Sequence, residues 1–194
     1  MNICVFCASS LRIDPKYIEL ARQVGTELAK RGHTLVSGGA TVSCMGAVTS
    51  ATRAAGGRTV GVIPQVLVDI EVADEASDEL VVTDGMRERK GVMDARSDAF
   101  LVLPGGIGTL EELFEIWTAR VLGLHDRPLV ILDPWGLYEP LKTLVSTMYD
   151  EGFTRADVFD AISWTSTVDE AFAHLEARSQ PVRPSVAELG EATG

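Results

Sequence analysis

A chain of 194 residues, 46% of them hydrophobic and with a mean hydropathy of +0.15, is long enough to bury a substantial core and fits one domain better than two. Its formal net charge of −11 disfavours a nucleic-acid partner, which is held by clustered Lys and Arg. No apolar run is long enough to cross a bilayer, Cys4, Cys7 and Cys44 cannot all pair, and no signal-like segment precedes the first apolar run, so a cytoplasmic protein without membrane attachment is expected.

Asn2 to Ala8 is predicted as a buried strand, and the two cysteines of its Cys4-x-x-Cys7 spacing read as small buried hydrophobes. Asp14-Pro15 has the form of an N-cap followed by proline at the first helical position, and the helix runs to about Arg31, where Gly32 ends it. His33 to Ser37 is a second strand, followed by Gly38-Gly39 and an Ala-rich helix from Met45-Gly46 to about Ala55. Arg58 to Ile63 is a third strand ended by Pro64. Gln65 to Asp78 is acidic and aperiodic and reads as a surface excursion before a short strand at Leu80 to Val82.

A helix from Met86 to about Ser97 leads into the apolar run Ala99 to Leu103, which enters Pro104 to Glu112, PGGIGTLEE. After it, Leu110, Leu113, Phe114, Trp117 and Val121 fall at helical spacing. Further on come a strand at Leu129 to Leu132, a helix from Leu137 to Asp150, a strand near Ala161 to Thr165 and a helix from Val168 to Arg178. One nucleotide-binding unit over residues 1–178 is expected, with a flexible tail over 179–194.

Alternating helices and continuously apolar strands imply an α/β fold, a doubly wound, mainly parallel sheet with helices on both faces. Ligands in such sheets bind beyond the C-terminal strand ends, where strand order reverses. Ser9, Gly39, Gly105 and Gly106 would lie on that edge. Glycines at a helix start let an anion approach unpaired backbone N–H groups at the positive end of the dipole, so Gly105, Gly106, Gly108 and Thr109 are candidate phosphate contacts. Neither G-x-G-x-x-G nor G-x-x-x-x-G-K-[ST] occurs, which favours a mononucleotide over a dinucleotide or a P-loop triphosphate.

Met86, Arg89, Lys90 and Met93 share one helix face. Either the methionines pack inward while the cations reach water, or Arg89 meets an anionic substrate with its planar fork. Glu112 also has two readings. With Thr109 as N-cap it completes a T-x-x-E capping box; otherwise it is a carboxylate available for chemistry. His33, His125 and His174 are scattered without ligand spacing, and neither a metal nor another cofactor is expected.

PGGIGTLEE matches a PGGxGTxxE signature, and Met86 to Lys90 resembles an MHxRK-type signature. Together they resemble the LOG (Lonely Guy) family of cytokinin riboside 5′-monophosphate phosphoribohydrolases, over nearly the whole chain. Members have often been labelled lysine decarboxylases, but no lysine here stands in a recognisable pyridoxal-phosphate context. The resemblance implies a Rossmann-like fold, a homodimer with sites near the subunit interface, and hydrolysis of the N-glycosidic bond of a nucleoside 5′-monophosphate. It implies Arg89 and Glu112 as catalytic residues, with Met86 and Lys90 beside the substrate. Arg87 stands where many members have His, and Ser43 where a Gly is common. A broader AMP nucleosidase and a non-catalytic nucleotide or phosphorylated-cofactor carrier are the alternatives. The Leu137 to Asp150 helix and the apolar side of the Met86 to Ser97 helix are candidate interfaces, with core packing the default reading for both.

Overall fold

The computed structural model describes residues 1–70 and 73–177, so the expected tail lies outside the described residues. The elements run β1 (Asn2–Phe6), α1 (Pro15–Lys30), β2 (Thr34–Ser37), α2 (Ser43–Ala54), β3 (Thr59–Pro64), α3 (Gln65–Val68) and β4 (Glu79–Thr83), then α4 (Met86–Ala95), β5 (Ala99–Val102), α5 (Ile107–Val121), β6 (Leu129–Leu132), α6 (Glu139–Asp150), α7 (Asp157–Asp160), β7 (Ser163–Thr165) and α8 (Val168–Glu176). Asp14 caps α1 as expected, accepting from Lys16 N at 2.9 Å. The one-turn helices α3 and α7 were not foreseen, since four residues carry too little periodicity to read.

The strand order is β4-β3-β2-β1-β5-β6-β7, with every ladder parallel. The chain builds outward from β1 to β4, then returns to place β5 on the other side of β1. The connections that follow β1 and β5 therefore leave the C-terminal edge in opposite directions, and a crevice opens between them.

Two apolar layers hold the sheet. One packs α1, α2 and α8 around Ile3, Val5, Leu35 and Leu101; the other packs α4 to α7 around Phe6, Phe100, Val102 and Ile131. Alternate residues of β1 and β5 feed opposite layers, which is why these strands are apolar throughout. All three cysteines are free and buried, and burial pushes the Cys7 thiol well up from its ordinary value, so it is held as an uncharged packing group.

Candidate active site

At the switch point lies a cleft of about 790 Å³, bordered by Cys7 to Ser10 after β1, Gly38 and Ala40 after β2, and Pro104 to Thr109 after β5. A larger groove of about 1190 Å³ along α1, α2 and the start of α8 is lined by surface charges, small residues and a few apolar side chains such as Leu20 and Trp135, with no buried acid or cation among them. The chemistry is concentrated in the smaller cleft.

The turn after β5 differs from the capping-box expectation. Helix α5 begins at Ile107, with Gly106 in extended conformation as its N-cap and no side chain bonded to its free N–H groups. Thr109 lies inside the first turn and is buried, its side chain packed over Gly105; a Cβ on Gly105 would lie 2.2 Å from Thr109 Oγ1. A Cβ on Gly106 or Gly108 would meet nothing within 4 Å. The first glycine permits packing and the other two clear space before the helix end, where an anion would fill the role of the absent cap. Beneath the turn, the Tyr138 hydroxyl donates to Leu103 O at 3.0 Å.

Starting three residues earlier than Thr109-capping requires makes Glu112 the sixth residue of α5, beyond reach of a capping box. Its side chain is 13% exposed, and Oε1 lies 3.8 Å from Arg89 Nη2, an ion pair too long for a hydrogen bond. Burial is the main cause that pushes the Glu112 carboxyl up to about 7; Arg89 opposes the shift, and Glu111 adds to it.

Arg89 does not reach to water as the snorkelling alternative required. It is buried, its Nε donates to Val62 O at 3.1 Å, and its guanidinium lies against Gly38, where a Cβ would be 1.8 Å from Nη2. Of the methionines on that face, Met93 packs into the core, whereas Met86 is exposed and lines the cleft. Lys90 is turned away from the cleft and pairs with Glu111 and Glu115 of α5, and Arg87 is exposed.

Ser9 borders the cleft as expected. Gly39 does not: its φ of +70° and close packing on Val62 and Ile63 give it a backbone role, and Gly38 is the one that faces the cleft. Ser43 has a φ of 51°, a conformation that favours glycine, and its Oγ donates to Ser10 O at 2.6 Å, offsetting part of the cost. Sequence reasoning missed the apolar wall made by Val42, Met45, Leu67, Ile70 and Leu137. Apolar residues exposed within the acidic 65–78 excursion were the signal available.

Fold and cleft together define a Rossmann-like α/β protein with an uncapped helix end at the cleft and a buried Arg–Glu pair beside it. A family model described as "Possible lysine decarboxylase" matches residues 45–175. The chain is 50% identical over 170 residues, 88% of its length and 90% of the relative's, to a cytokinin riboside 5′-monophosphate phosphoribohydrolase of Mycobacterium tuberculosis. It is 39% identical over 175 residues, 90% of its length and 72% of the relative's, to the enzyme of that name from Oryza sativa subsp. japonica. Among solved structures, the molybdenum cofactor binding protein from Rippkaea orientalis superposes with a TM-score of 0.67 at 21% identity, covering 89% of this chain and 93% of that one, a likeness of fold. The chain belongs to the LOG family, as its two signatures indicated.

Proposed function

We propose that this protein hydrolyses the N-glycosidic bond of adenosine 5′-monophosphates, N6-modified ones included, releasing the free base and ribose 5-phosphate. The observation that carries the reading is the buried pair of Arg89 and Glu112, 3.8 Å apart, beside an uncapped helix start. The phosphate would rest on the backbone N–H groups at Gly106, Gly108 and Thr109, with Gly105 shaping the turn. Ribose then lies toward Glu112. As the C1′–N bond breaks, positive charge grows on the sugar; the Glu112 carboxylate stabilises it and accepts a proton from the water that bonds to C1′, while the base leaves with the bonding electrons and takes a proton from solvent, to which Glu112 then returns its own. Arg89 holds the carboxylate in place and offers its fork to the ribose phosphate. Met86, Ser9 and the apolar wall enclose the base, and Lys90 acts from outside the cleft by joining α4 to α5.

A carrier would need the helix end but not a buried carboxylate held near neutrality, which favours the enzyme over that alternative. The test is incubation of purified protein with AMP, N6-isopentenyl-AMP and adenosine, measuring free base and sugar product. Both monophosphates are expected to be cleaved and adenosine far more slowly; no ribose 5-phosphate from either monophosphate rejects the hydrolase reading. Within this reading, Gly38→Ala is expected to fold but to lose at least tenfold in kcat/KM, because the new methyl displaces the guanidinium of Arg89. Steady-state kinetics beside a thermal melt separates that from simple destabilisation.

The same reading includes a homodimer. Exposed Phe114 and Leu122 of and just after α5, Leu144, Met148 and Tyr149 of α6, and Phe153 present apolar surface suited to a second copy. We place the protein in the cytoplasm, where its three buried thiols stay reduced, and read residues 1–178 as one catalytic unit. No helix among the described residues is long and apolar enough to cross a membrane, and the net charge of −11 argues against a nucleic-acid partner.

A further inference from the structure

Asp74 is a buried acid that neither signature contains. It is 4% exposed, and its Oδ2 accepts from Arg53 Nη1 at 2.7 Å. Arg53 stands in the last turn of α2. The main chain of Asp74 is engaged as well: its N–H donates to Gly39 O at 2.8 Å, and the adjacent Ala73 pairs with Ala40 in an isolated antiparallel bridge. One residue thus spans the connection between β2 and α2, its backbone holding the start and its carboxylate the helix that follows. A second tie, from Ser43 Oγ to Ser10 O, fixes the same connection to the loop after β1.

That connection carries Gly38, which backs the Arg89 guanidinium, and then Ala40, Val42 and the first turn of α2 with Met45, all bordering the cleft. Burying a carboxylate is costly even when it is paired, and apolar packing could join the two segments without that penalty. Apolar packing would not fix direction; a charge-assisted bond at 2.7 Å together with a backbone bond at 2.8 Å does.

We infer that Arg53 and Asp74 are a positioning pair for the reaction: by locking the turn from Gly38 to Val42, they fix the surface against which Arg89 is held. This rests on the hydrolase reading.

The test compares Arg53→Met, Asp74→Asn, their double variant and Arg53→Lys. AMP turnover is measured well below each melting midpoint and scaled to folded protein, and hydrogen exchange is followed across residues 37–45 and 99–112. Arg53→Met and Asp74→Asn are each expected to lower kcat about tenfold with KM within about twofold. The double variant should be no worse than the poorer single one, as for a coupled unit, and Arg53→Lys should recover most of the loss. Exchange should quicken at 38–42 and stay unchanged at 99–112. A lower melting midpoint with unchanged kcat, or additive losses in the double variant, overturns the inference. If the wild-type protein cleaves no monophosphate, it is the hydrolase reading that fails; the pair is then judged by exchange, and unchanged exchange at 38–42 overturns it.

Discussion

Glu112→Gln is expected to give a folded protein whose turnover of AMP falls by roughly 10²- to 10⁴-fold, the range for losing a positioned acid–base group. Glutamine keeps the shape of the side chain but supplies neither the negative charge nor a proton acceptor. AMP binding should persist, because the proposed phosphate site is the start of α5, about one and a half turns away along the helix. Measured kcat near that of the wild type, with folding confirmed by a melt, rejects the catalytic role.

The pH dependence carries the same signature. With the Glu112 carboxyl at about 7, the charged form accumulates as pH rises through neutrality, so kcat/KM should climb with pH to about 7 and then level off. A falling limb in that range assigns the work to the protonated form instead. Because the substrate phosphate titrates near pH 6, AMP binding by Glu112→Gln over the same range supplies the correction. Stability moves the opposite way. Between the ordinary value of 4.5 and about 7, the native state holds a proton the unfolded chain has lost, so the group's contribution falls as pH rises, by about 3 kcal/mol in all. Urea unfolding at pH 5 and pH 8 should show that slope in the wild type and a flatter one in Glu112→Gln.

Arg89→Lys is expected to cost at least about 10² in kcat/KM although it preserves the charge. Arg89 donates through Nε to Val62 O while Nη2 faces Glu112, and an ammonium on a flexible stem cannot hold both positions. Arg89→Met removes the cation altogether. Glu112 then loses the group that holds its pKa down, and the rising limb of kcat/KM against pH should move to higher pH. Unchanged kcat/KM in Arg89→Lys leaves the arginine a packing role only.

The alternation of helices with apolar strands made the fold readable from the sequence, and strand order β4-β3-β2-β1-β5 places the three Gly- and Ser-bearing turns on one edge as expected. Local rules misplaced the start of α5. They look for a side-chain cap, and Thr109 offered one; a helix end left open beside a cleft has no such mark. That shift of register carries Glu112 from a cap position to a buried one. The burial of Arg89 was equally hidden, because the Val62 carbonyl and Gly38 that enclose it belong to other elements. In the 65–78 excursion, periodicity was silent because Asp74 and Asp78 are placed by bonds to Gly39, Arg53 and Thr59, contacts distant in sequence.

Lys90, paired with both Glu111 and Glu115, stands next to Arg89 in sequence yet lies outside the cleft that Arg89 borders. Arg89 borders the cleft while Lys90 clamps α4 to α5, the helix that bears Glu112. On the hydrolase reading, the two groups at the bond to be broken thus stand on one braced frame, and a bulkier base would leave their separation unchanged. Accommodation would then fall to the other bank of the cleft, where Leu67 and Ile70 stand outside that frame. A scaffold divided in this way can alter which base it accepts while its bond-breaking geometry stays fixed.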